Sequence, residues 1–80
     1  MSPPPEWVVK RVLLGPASVR KAAARRLGDK KDRWMLRQPI EVRRSFVREV
    51  LEQGRNEEAW MLHQPDAVRH SYVAEVLDEQ

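Results

Sequence analysis

Apolar residues return along this chain at three- and four-residue intervals, without sustained alternation, and prolines cut the pattern into short segments. In the best-developed segment, 100° per residue sets Val42, Phe46 and Val50 along one edge of an apolar arc and Ile40, Val47 and Leu51 along the other. That arc is about 180° wide, more than a helix lying on a surface needs, so this helix is expected to be flanked on two sides. Glu41, Arg44, Arg48 and Glu52 gather on the remaining face, toward water or a partner. Pro16, Pro39 and Pro65 each precede an apolar-periodic stretch. Proline lacks the N–H that the first helical turn leaves unused, so it opens the helix that follows and closes the one before. Gly15, Gly28 and Gly54 stand where helix-ending glycines are expected, and Ser2, Asp29 and Asn56 where N-caps are. The predicted helices lie near 3–14, 16–27, 30–37, 39–53, 57–63 and 65–78. With no hairpin turn of the Asn-Gly or Asp-Gly type, the fold class is all-α.

The segments repeat. At a shift of 26, residues 33–51 match residues 59–77 at twelve of nineteen positions, and Phe46/Tyr72 is a near match. The identities include Trp34/Trp60, Gln38/Gln64, Pro39/Pro65, Arg43/Arg69, Ser45/Ser71 and Glu49/Glu75. A weaker copy at a shift of 23 aligns Pro16, Val19 and Arg20 with Pro39, Val42 and Arg43, while Trp7 sits one helical turn early. Self-similarity at this period implies stacked supersecondary units. The expected architecture is one domain over 1–80, a compact stack of about three helical hairpins forming a miniature α-solenoid, with units near 3–28, 29–54 and 55–80.

The recurring Pro-x-x-Val-Arg followed by spaced apolar residues, led by a short helix, resembles the HEAT-like repeat family of the PBS-lyase and leucine-rich-variant type. Its nearest form is Pro16-Ala-Ser-Val-Arg-Lys-Ala-Ala-Ala-Arg-Arg-Leu, and the stretches beginning Gln38-Pro39 and Gln64-Pro65 carry the same core. The units here span 23–26 residues, shorter than such repeats usually run, and Trp-Met-Leu is not part of the usual pattern. The resemblance implies a scaffold that binds protein or nucleic acid.

Composition narrows the chemistry. Hydrophobic residues at 41% and charged residues at 34% suit a folded chain rather than wholesale disorder. The absence of cysteine removes disulfides, thiolate metal sites and cysteine nucleophiles, and points to a reducing, cytoplasmic setting. No apolar run approaches the roughly 20 residues that cross a bilayer, so no membrane association is expected. The net charge of +3 hides a gradient: residues 1–31 carry +6, residues 32–54 +1 and residues 55–80 −4. In an elongated fold this is a dipole that steers an anionic partner to the first third and also favours head-to-tail self-association.

Arg20, Arg43 and Arg69 follow the motif valine and fall inside the apolar arc, where a charge needs a carboxylate, a free carbonyl or an aromatic face. They are read as braces between units, with Asp29, Asp66, Trp34 and Trp60 as candidate partners. Trp7, Trp34 and Trp60 are read as packing between hairpins, the alternative being an exposed anchor. Lys10, Arg11, Arg20, Lys21, Arg25, Arg26, Lys30 and Lys31 form a basic cluster with spacing that can follow a phosphate backbone, or serve as a solvated or protein-docking face. His63 and His70 straddle Pro65 and have no cysteine or carboxylate set to complete a metal site. Glu49 and Glu75 are repeat-equivalent and read as structural. No catalytic residue, metal or cofactor is assigned. The leading expectation is a non-catalytic interaction module binding a protein with an acidic patch through the polar faces of the longer helices, Arg44 and Arg48 beside Lys21 and Arg25. The alternatives are nucleic-acid binding through the basic third and a self-associating assembly factor, whose end hairpin leaves apolar surface uncovered near Val76 and Leu77.

Overall fold

Each proline boundary in the chain becomes a helix boundary in space. The computed structural model describes residues 6–77, the side chains of residues 6–8 excepted. It contains α1 (Glu6–Leu13), α2 (Ala17–Arg26), α3 (Lys30–Leu36), α4 (Ile40–Phe46), α5 (Glu57–Leu62) and α6 (Asp66–Tyr72). Two of them run on without a break as wider π-helical turns, α4 through Val47–Glu52 and α6 through Val73–Leu77. Among the described residues there is no strand, and the protein is all-α. None of the described helices is long and apolar enough to cross a membrane.

Local chemistry accounts for the ends. Asp29 caps α3 by accepting from the Lys31 N–H at 2.7 Å, and Asn56 caps α5 by accepting from Glu58 and Ala59. Pro16, Pro39 and Pro65 sit at the N-caps of α2, α4 and α6 in extended conformation. Ser2 lies outside the described residues. Gly54 takes φ +74°, the left-handed turn that favours glycine, and lets the Arg55 N–H reach back to Glu49 O at 2.8 Å. Gly28 differs from the expectation: α2 is ended one residue earlier by Leu27, which swings to φ −89°, ψ 130°, so no left-handed glycine is needed there.

Short turns link the helices two by two into three helical hairpins, α1–α2, α3–α4 and α5–α6. The α1–α2 hairpin packs on α3 and on residues 47–52, and α5 packs on the other side of that same stretch. The broad apolar arc of α4 is thus covered from both sides, with Phe46 and Val47 buried and Glu41, Arg44, Arg48 and Glu52 facing water. The core is Leu13, Trp34, Met35, Leu36, Phe46, Val47 and Trp60, with Trp34 and Trp60 completely enclosed.

Hairpins two and three meet reciprocally. Trp34 Nε1 donates to Ser71 Oγ at 2.9 Å, and its equivalent Trp60 Nε1 donates to Ser45 Oγ at 3.0 Å. Each serine hydroxyl in turn donates to a glutamate of its own unit, Ser71 to Glu75 and Ser45 to Glu49. The rings repeat the exchange: Trp34 meets Tyr72 edge-on at 5.1 Å, and Trp60 meets Phe46 edge-on at 5.2 Å. The equivalent residues Lys31 and Glu57 touch each other in an ion pair. This is the pattern a local two-fold axis generates, in which residue i meets j and j meets i.

The pair on that axis sets the alkaline behaviour. The carboxylate of Glu57 holds the Lys31 ammonium above its usual range, and burial holds the Tyr72 hydroxyl above its own. In both cases the folded chain keeps its proton longer than the unfolded one. The resulting stabilisation is complete below the unfolded values near about pH 10 and lost as pH rises through the folded ones. The melting temperature is therefore expected to fall above about pH 10, and Lys31→Met should weaken that fall without abolishing it, because Tyr72 still titrates. A melting temperature flat through the tyrosinate absorbance transition contradicts this.

Candidate interaction surface

The motif arginines are organised by orphan carbonyls at helix ends. The last carbonyls of a helix have no partner within it, and a cation there is also favoured by the helix dipole. Nε of each arginine donates to the carbonyl just before its own proline: Arg20 to Gly15 at 3.2 Å, Arg43 to Gln38 at 2.9 Å and Arg69 to Gln64 at 3.0 Å. Nη1 of two of them crosses between units. Arg43 donates to Leu13 O, the end of α1, at 2.6 Å, and Arg20 donates to Leu36 O, the end of α3, at 3.0 Å. At a shift of 23, Leu13 is the equivalent of Leu36 and Arg20 of Arg43, so hairpins one and two also meet reciprocally. Arg43 is 5% exposed, and burial lowers its pKa, with the charges of Arg20 and Arg44 adding to the effect. Arg69 departs from the pattern: it pairs with Asp66 of its own unit and no described residue of another hairpin accepts from it.

The other cations differ in what they meet. Lys10 pairs with Glu52, Lys31 with Glu57, Arg37 with Glu75 and Arg55 with Glu49, while Arg48 reaches Glu49 only at 3.9 Å. Lys21, Arg25, Arg26, Arg33 and Arg44 are exposed and form no ion pair with the described residues. Arg11 and Lys30 are exposed as well. The Arg20–Arg43 exchange brings the starts of α2 and α4 to one corner, and Lys21 and Arg44 directly follow those two arginines. Lys30, Arg33 and Arg37 line a shallow cleft with Ala24 and Glu75. With overall extents of 31 × 28 × 25 Å the molecule is nearly isotropic, so the charge gradient is not drawn out along a rod.

Trp34 and Trp60 lie between hairpins; Trp7 falls in α1, its side chain outside the description. His63 and His70 are exposed, and among the described residues no group of three potential metal ligands forms. Sequence reasoning missed Ser45, Ser71, Gln38 and Gln64 as a set, although all four are identities in the repeat. Both glutamines donate to the carbonyl of the tryptophan four residues earlier, at 3.0 and 3.1 Å. Comparison with protein-family models, curated proteins and solved structures finds no match to this chain.

Proposed function

We propose that this chain is a non-catalytic interaction module of the cytoplasm, built on short HEAT-like units, that docks an acidic protein segment on the cationic face of α2 and the start of α4. One observation carries the reading: the motif arginines Arg20 and Arg43 are consumed by the scaffold, while Lys21, Arg25, Arg26 and Arg44 stand exposed with no carboxylate among the described residues to neutralise them. Charges left open on a rigid face favour an anionic partner and speed its encounter. Glu49 and Glu75 are engaged by serines of their own units, which supports a structural role for them over a catalytic one.

Binding of a fluorescent oligoglutamate peptide tests the reading. The triple substitution Lys21→Glu, Arg25→Glu, Arg44→Glu should abolish binding and shift unfolding free energy by less than about 1 kcal/mol, as expected for exposed charges. Undiminished binding would sink the proposal, and a large stability loss would make these residues structural. The small side chain of Ala22, exposed between Lys21 and Arg26, supports nucleic acid as the second reading, because it lets a phosphate backbone come close. Short duplex or single-stranded DNA binding more tightly than oligoglutamate, with a steep salt slope, would favour that second reading.

A further inference from the structure

The three hairpins use two kinds of face. One, the tryptophan face, joins units two and three through Trp34, Trp60, Ser45 and Ser71. The other, the arginine face, joins units one and two through Arg20, Arg43, Leu13 and Leu36. Both joints are reciprocal, so each face is complementary to a copy of itself. Unit two spends one face on each neighbour. Unit three spends its tryptophan face on unit two, and its arginine face is uncovered.

The residues of that open face are those buried elsewhere. Leu36 and Val47 of unit two are 4% exposed each; their equivalents Leu62 and Val73 are 72% and 52% exposed. Leu51 is half-buried, and its equivalent Leu77 is 56% exposed. Leu62, Val73 and Leu77 line a shallow groove beside Arg69 that also takes in charged residues, among them Lys31 and Glu57. Nη1 of Arg69, the atom that crosses between units in Arg20 and Arg43, has no acceptor among the described residues, and no described residue donates to the carbonyl of Leu62. Unit three therefore holds both halves of the latch, donor and acceptor, unused. The opposite end of the row differs. On the tryptophan face of unit one, Arg11 stands where Trp34 stands in unit two, and Ala22 where Ser45 stands, so that face carries neither the indole nor the hydroxyl of the joint.

We propose that the arginine face of unit three docks on the same face of a second copy of this chain, forming a two-fold dimer in which Arg69 of each copy donates to the Leu62 carbonyl of the other. The two-fold that is approximate between units one and two becomes exact between two copies of unit three, and the row of hairpins continues across it by alternating the same two joints. An isologous contact of this kind closes at two copies and does not propagate into fibres. The exposed Leu62, Val73 and Leu77 lie on this face and the units that meet are both acidic, so the association is driven by burial of those side chains against a like-charge repulsion that salt screens.

Sedimentation equilibrium from about 1 µM to about 1 mM tests it. The wild-type chain, 9.4 kDa as a monomer, should approach twice that mass and stay there in roughly 0.5 M salt. Leu62→Asp should raise the dissociation constant on the order of 100-fold or more, since the substitution enters the interface twice. Its circular dichroism should match wild type, because Leu62 is exposed in the free chain. If Leu62→Asp loses helicity, Val73→Asp decides by the same readout. A wild-type chain that stays monomeric overturns the proposal. So does a dimer indifferent to the deciding variant, or one that dissolves in salt and is lost in Arg44→Glu, which would mark a charge-driven contact through the cationic face.

Discussion

Replacing Trp34 or Trp60 by alanine should remove a large part of the chain's folding free energy. Each indole is fully enclosed, meets an aromatic edge from the opposite hairpin and donates to a serine there. Truncating such a side chain costs about 4 kcal/mol. A domain of this length is stabilised in total by on the order of 4–12 kcal/mol, so one substitution removes a large part or all of it. The two-fold relation adds a sharper expectation. Because the contacts of Trp34 and Trp60 mirror each other, the two substitutions should lie within roughly 1.5 kcal/mol of one another in urea titrations followed by circular dichroism. The phenylalanine variants, which keep most of the apolar area and lose the N–H, should each cost about 1–2 kcal/mol. A wide disparity between the tryptophans would show that their surroundings are equivalent in sequence only.

Arg43→Met should cost about 3 kcal/mol, whereas Arg69→Met should cost less than about 1 kcal/mol. The chemistry removed is the same; what differs is where it sits. Arg43 is buried and satisfies two helix ends, Gln38 O in its own unit and Leu13 O in the preceding one, and without it both carbonyls lose their donor in a region closed to water. Arg69 is partly exposed, and water can replace it at Gln64 O and at Asp66. Arg20, half-buried and bonded to Gly15 and Leu36, should fall between them. Chemical denaturation of the three variants side by side checks the order, and equal losses at positions 43 and 69 would refute it.

The contrast between those arginines also marks what could be read from the chain. Helix existence and the wide arc of α4 were legible because periodicity and proline boundaries are local properties. The placement of an arginine within the arc was legible for the same reason, and so was its need for a partner. The partner itself was not, because the acceptors are backbone carbonyls, which every residue carries and no side chain announces. Nor could the letters distinguish Leu36 from Leu62. Both follow Trp-Met, and only the presence of a hairpin against one of them decides that it is buried and the other open. The two-fold manner of the joints was hidden as well: a sequence shift shows that units are alike, and says nothing of whether a unit is translated or turned to meet its neighbour. The wide turns after Phe46 and Tyr72 recur at equivalent positions without any residue type that marks them. The cationic face was half legible, since the basic residues were plain but the carboxylates that take up Lys10 and Lys31 come from distant segments, Glu52 and Glu57.

The middle hairpin contributes to both the arginine and the tryptophan latches. If the first hairpin peels away, Arg43 and the end of α3 are stripped of their partners; if the third leaves, Trp34 and Ser45 are stripped of theirs. Neither end can fray at small cost while the rest stays intact. The chain should therefore melt as one cooperative unit despite its modular layout, with its slowest-exchanging amides in α3 and α4.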